Sequence, residues 1–390
     1  MKMEPYLRLM GEHNASDMYF TTGAPVTVRI EGEMRPVGRN AMMPGTIKQL
    51  AYSILGEDQI ADFENDKELN LGISLPEVGR FRINVYLQRG EVSMVVRYIK
   101  TNIPSIESLN LPPVLKDLVS YPSGLVLVVG STGAGKSTTL ASMIDYRNTT
   151  RANHILTIED PIEYVFTHKK SIVGQREVGL DTWSYNNALR EAMREAPDLI
   201  MIGEVRDRTA MEAAVAYADT GHLCLSTLHA VNSNQALERI INFFPIEAKQ
   251  QILMDLSLNL RGIVSQRLVT SVEGSRIPAV EVLVNTPYAA ELIKKGDFSG
   301  LKDVMEKGTT SGMQTFDQSL YELYRSGKIT LKDAMDNADS GGDLEWRVHF
   351  GGGVKDLKKT RTRDTLEMPG DSISDPDSGI FDDLTLPPSS

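Results

Sequence analysis

Residues 130–138 constrain the fold of this chain more than any other segment. They read Gly-Ser-Thr-Gly-Ala-Gly-Lys-Ser-Thr and directly follow the apolar run 125–129. A strand, a loop with the spacing G-x-x-x-x-G-K-[ST] and a helix, in this order, are typical of a P-loop, whose backbone amides turn inward around phosphate groups. Lys136 would then reach the β- and γ-phosphates of a nucleotide, and the Ser137 hydroxyl would bind Mg²⁺. The predicted nucleotide-binding residues are Gly130, Ser131, Thr132, Gly133, Ala134, Gly135, Lys136, Ser137 and Thr138.

Charge and composition argue against several other classes of protein. The 390 residues carry a formal net charge of −11, which disfavours a nucleic-acid partner, because such binding needs dense Lys and Arg. The single cysteine, Cys224, lies in an apolar run and predicts a buried small side chain. No segment approaches the length of a membrane-spanning helix, and the N-terminus lacks the apolar core of a signal peptide. We therefore expect a cytoplasmic protein that reaches a membrane through a partner.

The chain divides into four predicted parts: a small α+β domain (1–103), a proline-rich interdomain linker (104–122), an α/β domain (123–340) and a disordered tail (341–390). Alternating apolar residues around tight turns predict two hairpins in the first part, at 26–37 and 80–98. In the third part, strands alternate with helices, which is typical of a parallel sheet covered on both faces. The strands are predicted at 125–129, 154–159, 199–203 and 223–228, with a hairpin near 268–285.

Carboxylates follow two predicted strands at the edge where the P-loop lies. Glu159 and Glu163 lie at the end of one strand, and Glu204 follows another. Alone, such residues are typical of a solvated loop, but hydrolysis beside a P-loop needs a base for water and oxygen ligands for Mg²⁺. We expect Glu163 to be the general base. We expect Glu204, on the strand next to the P-loop, to order the Mg²⁺ shell with Ser137. The alternatives are that Glu163 and Glu204 exchange these roles, or that Glu159 is the general base.

The strand before Glu204 departs from the usual Walker B pattern. Gly203 stands where many ATPases carry the Mg²⁺-holding Asp, which leaves Glu204 as the acid at the strand tip. Beyond the next strand, 223–228, His229 is expected to donate a hydrogen bond to a γ-phosphate and so report its presence. For His222, before that strand, a structural role is the competing interpretation. Zinc is not expected, because no third ligand accompanies the two histidines at suitable spacing.

Together these motifs resemble the secretion ATPase superfamily. The Walker A loop, the carboxylate box at 157–164, the Gly-Glu strand and the two-histidine box have the order and spacing of that superfamily. Segments 15–18, 79–84 and 312–318 are more specifically similar to its PilT/PilU branch, the type IV pilus retraction ATPases. The resemblance covers about residues 1–340.

The resemblance implies an ATP-hydrolysing motor. Six subunits would form a ring, each with a PAS-like N-terminal domain and a RecA-like P-loop ATPase core, and ATP hydrolysis with Mg²⁺ would power pilus retraction and twitching motility. The ring would lie in the cytoplasm, peripheral to the inner membrane, and act through an inner-membrane platform protein. The resemblance also places the N-terminal domain over the nucleotide. Among the arginines of its second hairpin, we expect Arg82 and Arg97 to stabilise charge on the γ-phosphate, in cis or in trans.

Two features depart from PilT. Residues 288–295 read Tyr-Ala-Ala-Glu-Leu-Ile-Lys-Lys, where the PilT retraction motif is Ala-Ile-Arg-Asn-Leu-Ile-Arg-Glu, and the tail after residue 340 is longer. Both features look like PilU, an accessory retraction ATPase that works with a PilT-like ATPase. We expect the tail to be dispensable for catalysis and to contribute to partner association, or else to be a solvated end without a role.

The residues alone leave two further hypotheses about function open. A nucleic-acid translocase on a RecA-like core is disfavoured by the acidic charge and by the lack of interleaved basic and aromatic residues. A nucleotide-gated binding module that hydrolyses little ATP is distinguished from a motor by an ATPase assay.

Overall fold

The computed structural model describes residues 2–30 and 32–350. Within it, the residues up to Leu344 form one compact unit that contains two β-sheets. The predicted α/β class is confirmed. The predicted domain and linker boundaries stay predictions, and the tail from residue 351 onward lies outside the described residues.

The N-terminal sheet is antiparallel, with the strand order β3-β2-β1-β6-β5-β4. Its strands are β1 (Asp17–Phe20), β2 (Thr27–Ile30), β3 (Glu33–Pro36), β4 (Glu68–Leu75), β5 (Gly79–Gln88) and β6 (Glu91–Ile99). Three helices pack on one face: α1 (Glu4–Glu12), α2 (Thr46–Tyr52) and α3 (Glu57–Asp66). Alternation along β5 puts Phe81, Ile83 and Val85 into this core. Both predicted hairpins are confirmed as β2–β3 and β5–β6.

The second sheet has the strand order β13-β12-β7-β11-β10-β8-β9 and is parallel from β12 to β9. Its strands are β7 (Gly124–Val129), β8 (His154–Glu159), β9 (Ile172–Glu177), β10 (Leu199–Ile202), β11 (Leu223–Leu228), β12 (Leu260–Thr270) and the antiparallel β13 (Arg276–Val284). Every residue of β7 and β11 is buried, as expected for central strands that are covered on both faces. Cys224 lies in this core, as its apolar surroundings predict.

Helices cover both faces of the second sheet and form two separate apolar cores. Their bounds are α4 (Val114–Ser120), α5 (Lys136–Thr150), α6 (Tyr185–Ala192), α7 (Arg208–Asp219), α8 (Ser233–Asn242), α9 (Ile246–Asn259), α10 (Pro287–Lys295), α11 (Leu301–Lys307), α12 (Phe316–Arg325), α13 (Leu331–Asn337) and α14 (Gly341–Phe350). Helices α4 and α5 pack on one face, and α6 to α11 on the other.

Helix α6 ends at Ala192 and continues as a 3₁₀ turn, after which Ala196 has a φ of 49°. The predicted start of the tail is wrong. The tail was expected from residue 341, but α14 begins there. Leu344 is buried in a cluster with Phe316 and Leu320, and this burial stabilises the first turn of the helix.

Candidate nucleotide site

The glycine loop connects β7 to α5 and is held in place by Gln266, a residue of β12. Gln266 Nε2 donates to the Ala134 carbonyl at 2.7 Å, and Gln266 Oε1 accepts a hydrogen bond from Thr139 Oγ1 at 2.6 Å. Gly135 has a φ of 89°, and a Cβ there would lie 2.7 Å from Gln266 Nε2. The close approach of Gln266 therefore needs glycine. The sequence analysis did not identify Gln266.

Lys136 begins α5 and turns its ammonium group into the loop. Its Nζ donates to the carbonyl oxygens of Gly130 at 3.0 Å and Ser131 at 2.9 Å. Burial lowers the pKa of Lys136, while the nearby carboxylates of Glu204 and Glu163 act in the opposite direction. The positive charge is thus held at the start of a helix, where the helix dipole also favours an anion.

The loop after β8 lies against the start of α5. Ser137 Oγ donates to Glu163 Oε1 at 2.8 Å, and the hydroxyls of Thr138 and Tyr164 are 3.0 Å apart. The structure therefore brings the predicted metal ligand Ser137 and the predicted base Glu163 into direct contact.

Glu204 and His229 meet at the ends of β10 and β11. Glu204 Oε1 is 3.1 Å from His229 Nε2, and Glu204 Oε2 accepts from Arg206 Nε at 2.6 Å. Burial, followed by the Lys136 charge, lowers the pKa of His229, and Glu204 opposes this. The lowered pKa favours the neutral form of the His229 ring, which has one N–H to donate.

One detail of the prediction for Glu204 is wrong. Strand β10 pairs with β11 and β8, so β11 lies between it and the P-loop strand β7. The departure at Gly203 has a steric reason. A Cβ there would lie 2.9 Å from the Tyr185 hydroxyl and 3.2 Å from the Ile158 carbonyl oxygen. A carboxylate side chain at this position would require the Tyr185 hydroxyl and the backbone near Ile158 to move.

Glu159 is buried at the end of β8 and lines the cavity that Lys136, Glu163 and Glu204 also line. Burial raises its pKa to about 7, although hydrogen bonds from Thr157 Oγ1 at 2.6 Å and Gln175 Nε2 at 3.2 Å oppose the rise. Such a carboxyl exchanges its proton near neutral pH.

These groups surround a cavity of about 490 Å³, a volume typical of small-ligand sites. Of the predicted site residues it is lined by Thr132, Gly133, Gly135, Lys136, Ser137, Thr138, Glu163, Glu204 and His229. The glycine loop, the ammonium group and the hydroxyl of Ser137 suit phosphates, and the Ser137 and Glu204 oxygens suit Mg²⁺. His222 precedes β11 at the opposite edge of the sheet, where its Nδ1 is 3.3 Å from the Tyr217 carbonyl oxygen.

The two predicted arginines lie on the N-terminal sheet and do not line this cavity. They are directly opposite each other on β5 and β6. Arg97 Nε donates to Asp17 Oδ1 at 2.8 Å, and Arg82 Nη1 is 3.7 Å from Glu177 Oε1. Arg29 pairs with Asp17 across β1 and β2, so neighbouring strands carry a charged row, which we call the arginine row: Arg29, Asp17, Arg97 and Arg82. The roles of Arg82 and Arg97 toward a nucleotide stay predictions.

A parallel sheet with a P-loop after β7, and with carboxylates and a histidine at the ends of the neighbouring strands, defines a P-loop ATPase. The family "Type II/IV secretion system protein" matches residues 4–322, and the chain belongs to this family. No helix within residues 2–30 and 32–350 has the length and apolarity to cross a membrane.

Individual relatives place the chain in the PilT/PilU branch, as the motifs predicted. It is 51% identical over 352 residues to the type IV pilus ATPase PilU of Pseudomonas aeruginosa, covering 90% of this chain and 92% of PilU. Identity to PilT of the same organism, a type IV pilus retraction ATPase, is 37%, covering 87% and 98%. A crystal structure of the pilus retraction motor PilT with bound ADP superimposes with a TM-score of 0.81 at 42% identity, covering 88% and 99%.

Proposed function

We propose that the chain is a subunit of a hexameric motor that hydrolyses ATP to power type IV pilus retraction, as a PilU-type accessory of a PilT-like ATPase. The observation that carries the proposal is the meeting of Lys136, Ser137, Glu163, Glu204 and His229 around one cavity. The overall similarity to PilU and PilT, which extends over most of both chains, supports the pilus assignment.

The contacts favour different roles for the two carboxylates. Both carboxylate oxygens of Glu204 are engaged, one by the Arg206 guanidinium and one by His229, so taking a proton from water would require one of these contacts to break. Glu163 accepts from the neutral Ser137 hydroxyl. Glu163 is therefore the better group to take a proton from water, and Glu204 to order the shell of Mg²⁺ that Ser137 helps to hold.

Bound ATP supplies the phosphoryl group that is transferred to water. Lys136 and the loop amides offset its charge, and His229 would donate a hydrogen bond to the γ-phosphate in place of its contact with Glu204 Oε1. Arg82 and Arg97 would add positive charge when the N-terminal sheet closes over a nucleotide, in the same subunit or in a neighbouring one. The inner-membrane platform protein would receive the resulting displacement.

Hydrolysis measured across a size-exclusion profile tests the motor proposal. We expect phosphate release to follow the hexamer fraction, to disappear in Lys136→Ala rings of the same size, and to change when a PilT-like ATPase is added. Rings that bind ATP but release no phosphate, alone or with that partner, would support the binding-module hypothesis instead.

Pilus retraction in cells tests the accessory role separately. We expect the chain to increase retraction when a PilT-like ATPase is present and to give none in its absence. Full retraction by this chain alone would refute the accessory role while leaving the motor proposal intact.

A further inference from the structure

We infer that Glu177 is a positioning residue that couples the N-terminal sheet to the catalytic loop of residues 160–166. The inference deepens the proposed function, because it rests on the role of Glu163 in hydrolysis. Glu177 is the last residue of β9, and only 2% of it is exposed. One of its carboxylate oxygens contacts the loop after β8, and the other faces β5 of the N-terminal sheet.

One oxygen of Glu177 holds the catalytic loop. Oε2 accepts a hydrogen bond from the Ile162 backbone amide at 3.3 Å, and Ile162 directly precedes Glu163. Gln175, two residues earlier on β9, fixes the end of the same loop. Its Oε1 accepts from the Phe166 amide and its Nε2 donates to the Tyr164 carbonyl, both at 2.8 Å. Strand β9 thus supports the loop that carries Glu163 at three points.

The other oxygen of Glu177 faces the N-terminal sheet. Oε1 is 3.7 Å from Arg82 Nη1 on β5. Burial raises the pKa of Glu177, whereas the Ile162 amide, Arg82 and Arg80 lower it, and Asp181 raises it again. The two arginines therefore favour the ionised form of Glu177. The ionised carboxylate attracts Arg82 and accepts the hydrogen bond from the Ile162 amide at the same time.

Packing brings the two sheets close at this point. Gly72 on β4 is opposite Arg82, and a Cβ there would lie 3.1 Å from Arg80 Nη2 and 3.4 Å from Leu180 Cδ1. Leu180 belongs to the turn after β9, and its backbone amide donates a hydrogen bond to the Glu177 carbonyl oxygen at 3.2 Å. A displacement of β5 that moves Arg82 therefore changes the forces on Glu177, and through Ile162 on the position of Glu163.

The test is steady-state ATP hydrolysis by Glu177→Gln in full-length rings. Glutamine keeps an acceptor for the Ile162 amide but loses the attraction to Arg82. We expect kcat to fall on the order of tenfold, because small misplacements of a catalytic group cost up to about 10² in rate, while the KM for ATP stays within about twofold. Glu195→Gln is the matched control. It removes the charge from one partner of the 2.7 Å ion pair between Arg176 on β9 and Glu195 in the 3₁₀ turn after α6, and it is expected to keep wild-type turnover.

A double-mutant cycle with Arg82→Gln tests the link between the sheets. The inference predicts that the double variant is no slower than the slower single variant. A Glu177→Gln kcat equal to that of Glu195→Gln, or additive effects in the cycle, would overturn the inference. The role of Glu163 is tested separately in the same assay. If Glu163→Gln is inactive while the coupling through Glu177 is overturned, the proposed catalytic role of Glu163 still stands.

Hydrogen exchange provides a second measurement if Glu177→Gln does not fold. In Arg82→Gln, where Glu177 is intact, the peptide containing the Ile162 amide should exchange faster than in the wild type. Unchanged exchange of that peptide would overturn the coupling.

Discussion

Replacing Glu159 with glutamine should stabilise the protein above neutral pH and leave its stability nearly unchanged in acid. Glu159 is buried, and its pKa rises from its ordinary 4.5 to about 7 in the folded state. The folded protein therefore retains a proton that the unfolded chain releases between these two values, and stability falls as pH rises through this window. At about 1.36 kcal/mol per pKa unit, the cost at pH 8 is about 3 kcal/mol.

Glutamine removes this cost without removing the acceptor. Thr157 Oγ1 and Gln175 Nε2 both donate to Glu159 Oε1, and the amide oxygen of glutamine accepts the same two hydrogen bonds. The side chain has no proton to lose. We therefore expect the variant to match the wild type near pH 4.5 and to be more stable by about 3 kcal/mol at pH 8. This corresponds to about 6–12 °C in Tm for an unfolding domain of about 150–250 residues.

Thermal unfolding of both proteins, followed by circular dichroism from pH 4.5 to 8, measures the difference. Glu57→Gln, at an exposed helix start, supplies the effect of removing a surface carboxylate. A difference between wild type and Glu159→Gln that is the same at pH 5 and pH 8 would refute the reasoning.

Further predictions concern the site and the C-terminal helix. Lys136→Ala should fold normally and abolish phosphate release; near wild-type turnover in a pure preparation would exclude the motor. Glu163→Gln should bind a fluorescent ATP analogue and fail to hydrolyse ATP, whereas Glu204→Ala should raise the Mg²⁺ concentration needed for half-maximal rate; the opposite pattern would exchange the two roles. Mixed rings of Lys136→Ala and Arg97→Ala subunits should recover activity if the arginine acts in trans, and no recovery in confirmed mixed rings favours action in cis. Leu344→Ala should destabilise the protein by about 2–5 kcal/mol in thermal unfolding, because this side chain is buried; an unchanged Tm would contradict its assignment to the core.

Local sequence patterns predicted the parts of the fold that local physics determines. The apolar run before Gly130 and the spacing up to Ser137 predicted strand, loop and helix, because a fully buried parallel strand needs continuous apolar residues. The hairpins were predicted from alternating apolar residues, because an antiparallel sheet that buries one face needs this alternation. Strand β9 was not predicted, since its polar residues Gln175 and Glu177 face the catalytic loop and interrupt the apolar pattern.

Contacts between distant residues explain what the sequence did not predict at the site. Gln266 lies 127 positions after Thr139, and no local pattern indicates that it fixes the P-loop. The missing acid at Gly203 was visible in the sequence, but its cause was not, because the Tyr185 hydroxyl occupies the space. The sequence also did not indicate the ion-pair partner of Arg82, because Glu177 lies on the other sheet.

The arginine row makes one face of the N-terminal sheet electrostatically frustrated. Like charges that are directly opposite each other destabilise a sheet, yet Arg82 and Arg97 occupy such positions, and Asp17 is shared between Arg97 and Arg29. Apolar or mixed-charge pairs would hold these strands together better. Asp17 and Glu177 offset this repulsion within the chain. The cohesion of this face therefore depends on two carboxylates that lie outside the Arg82–Arg97 pair.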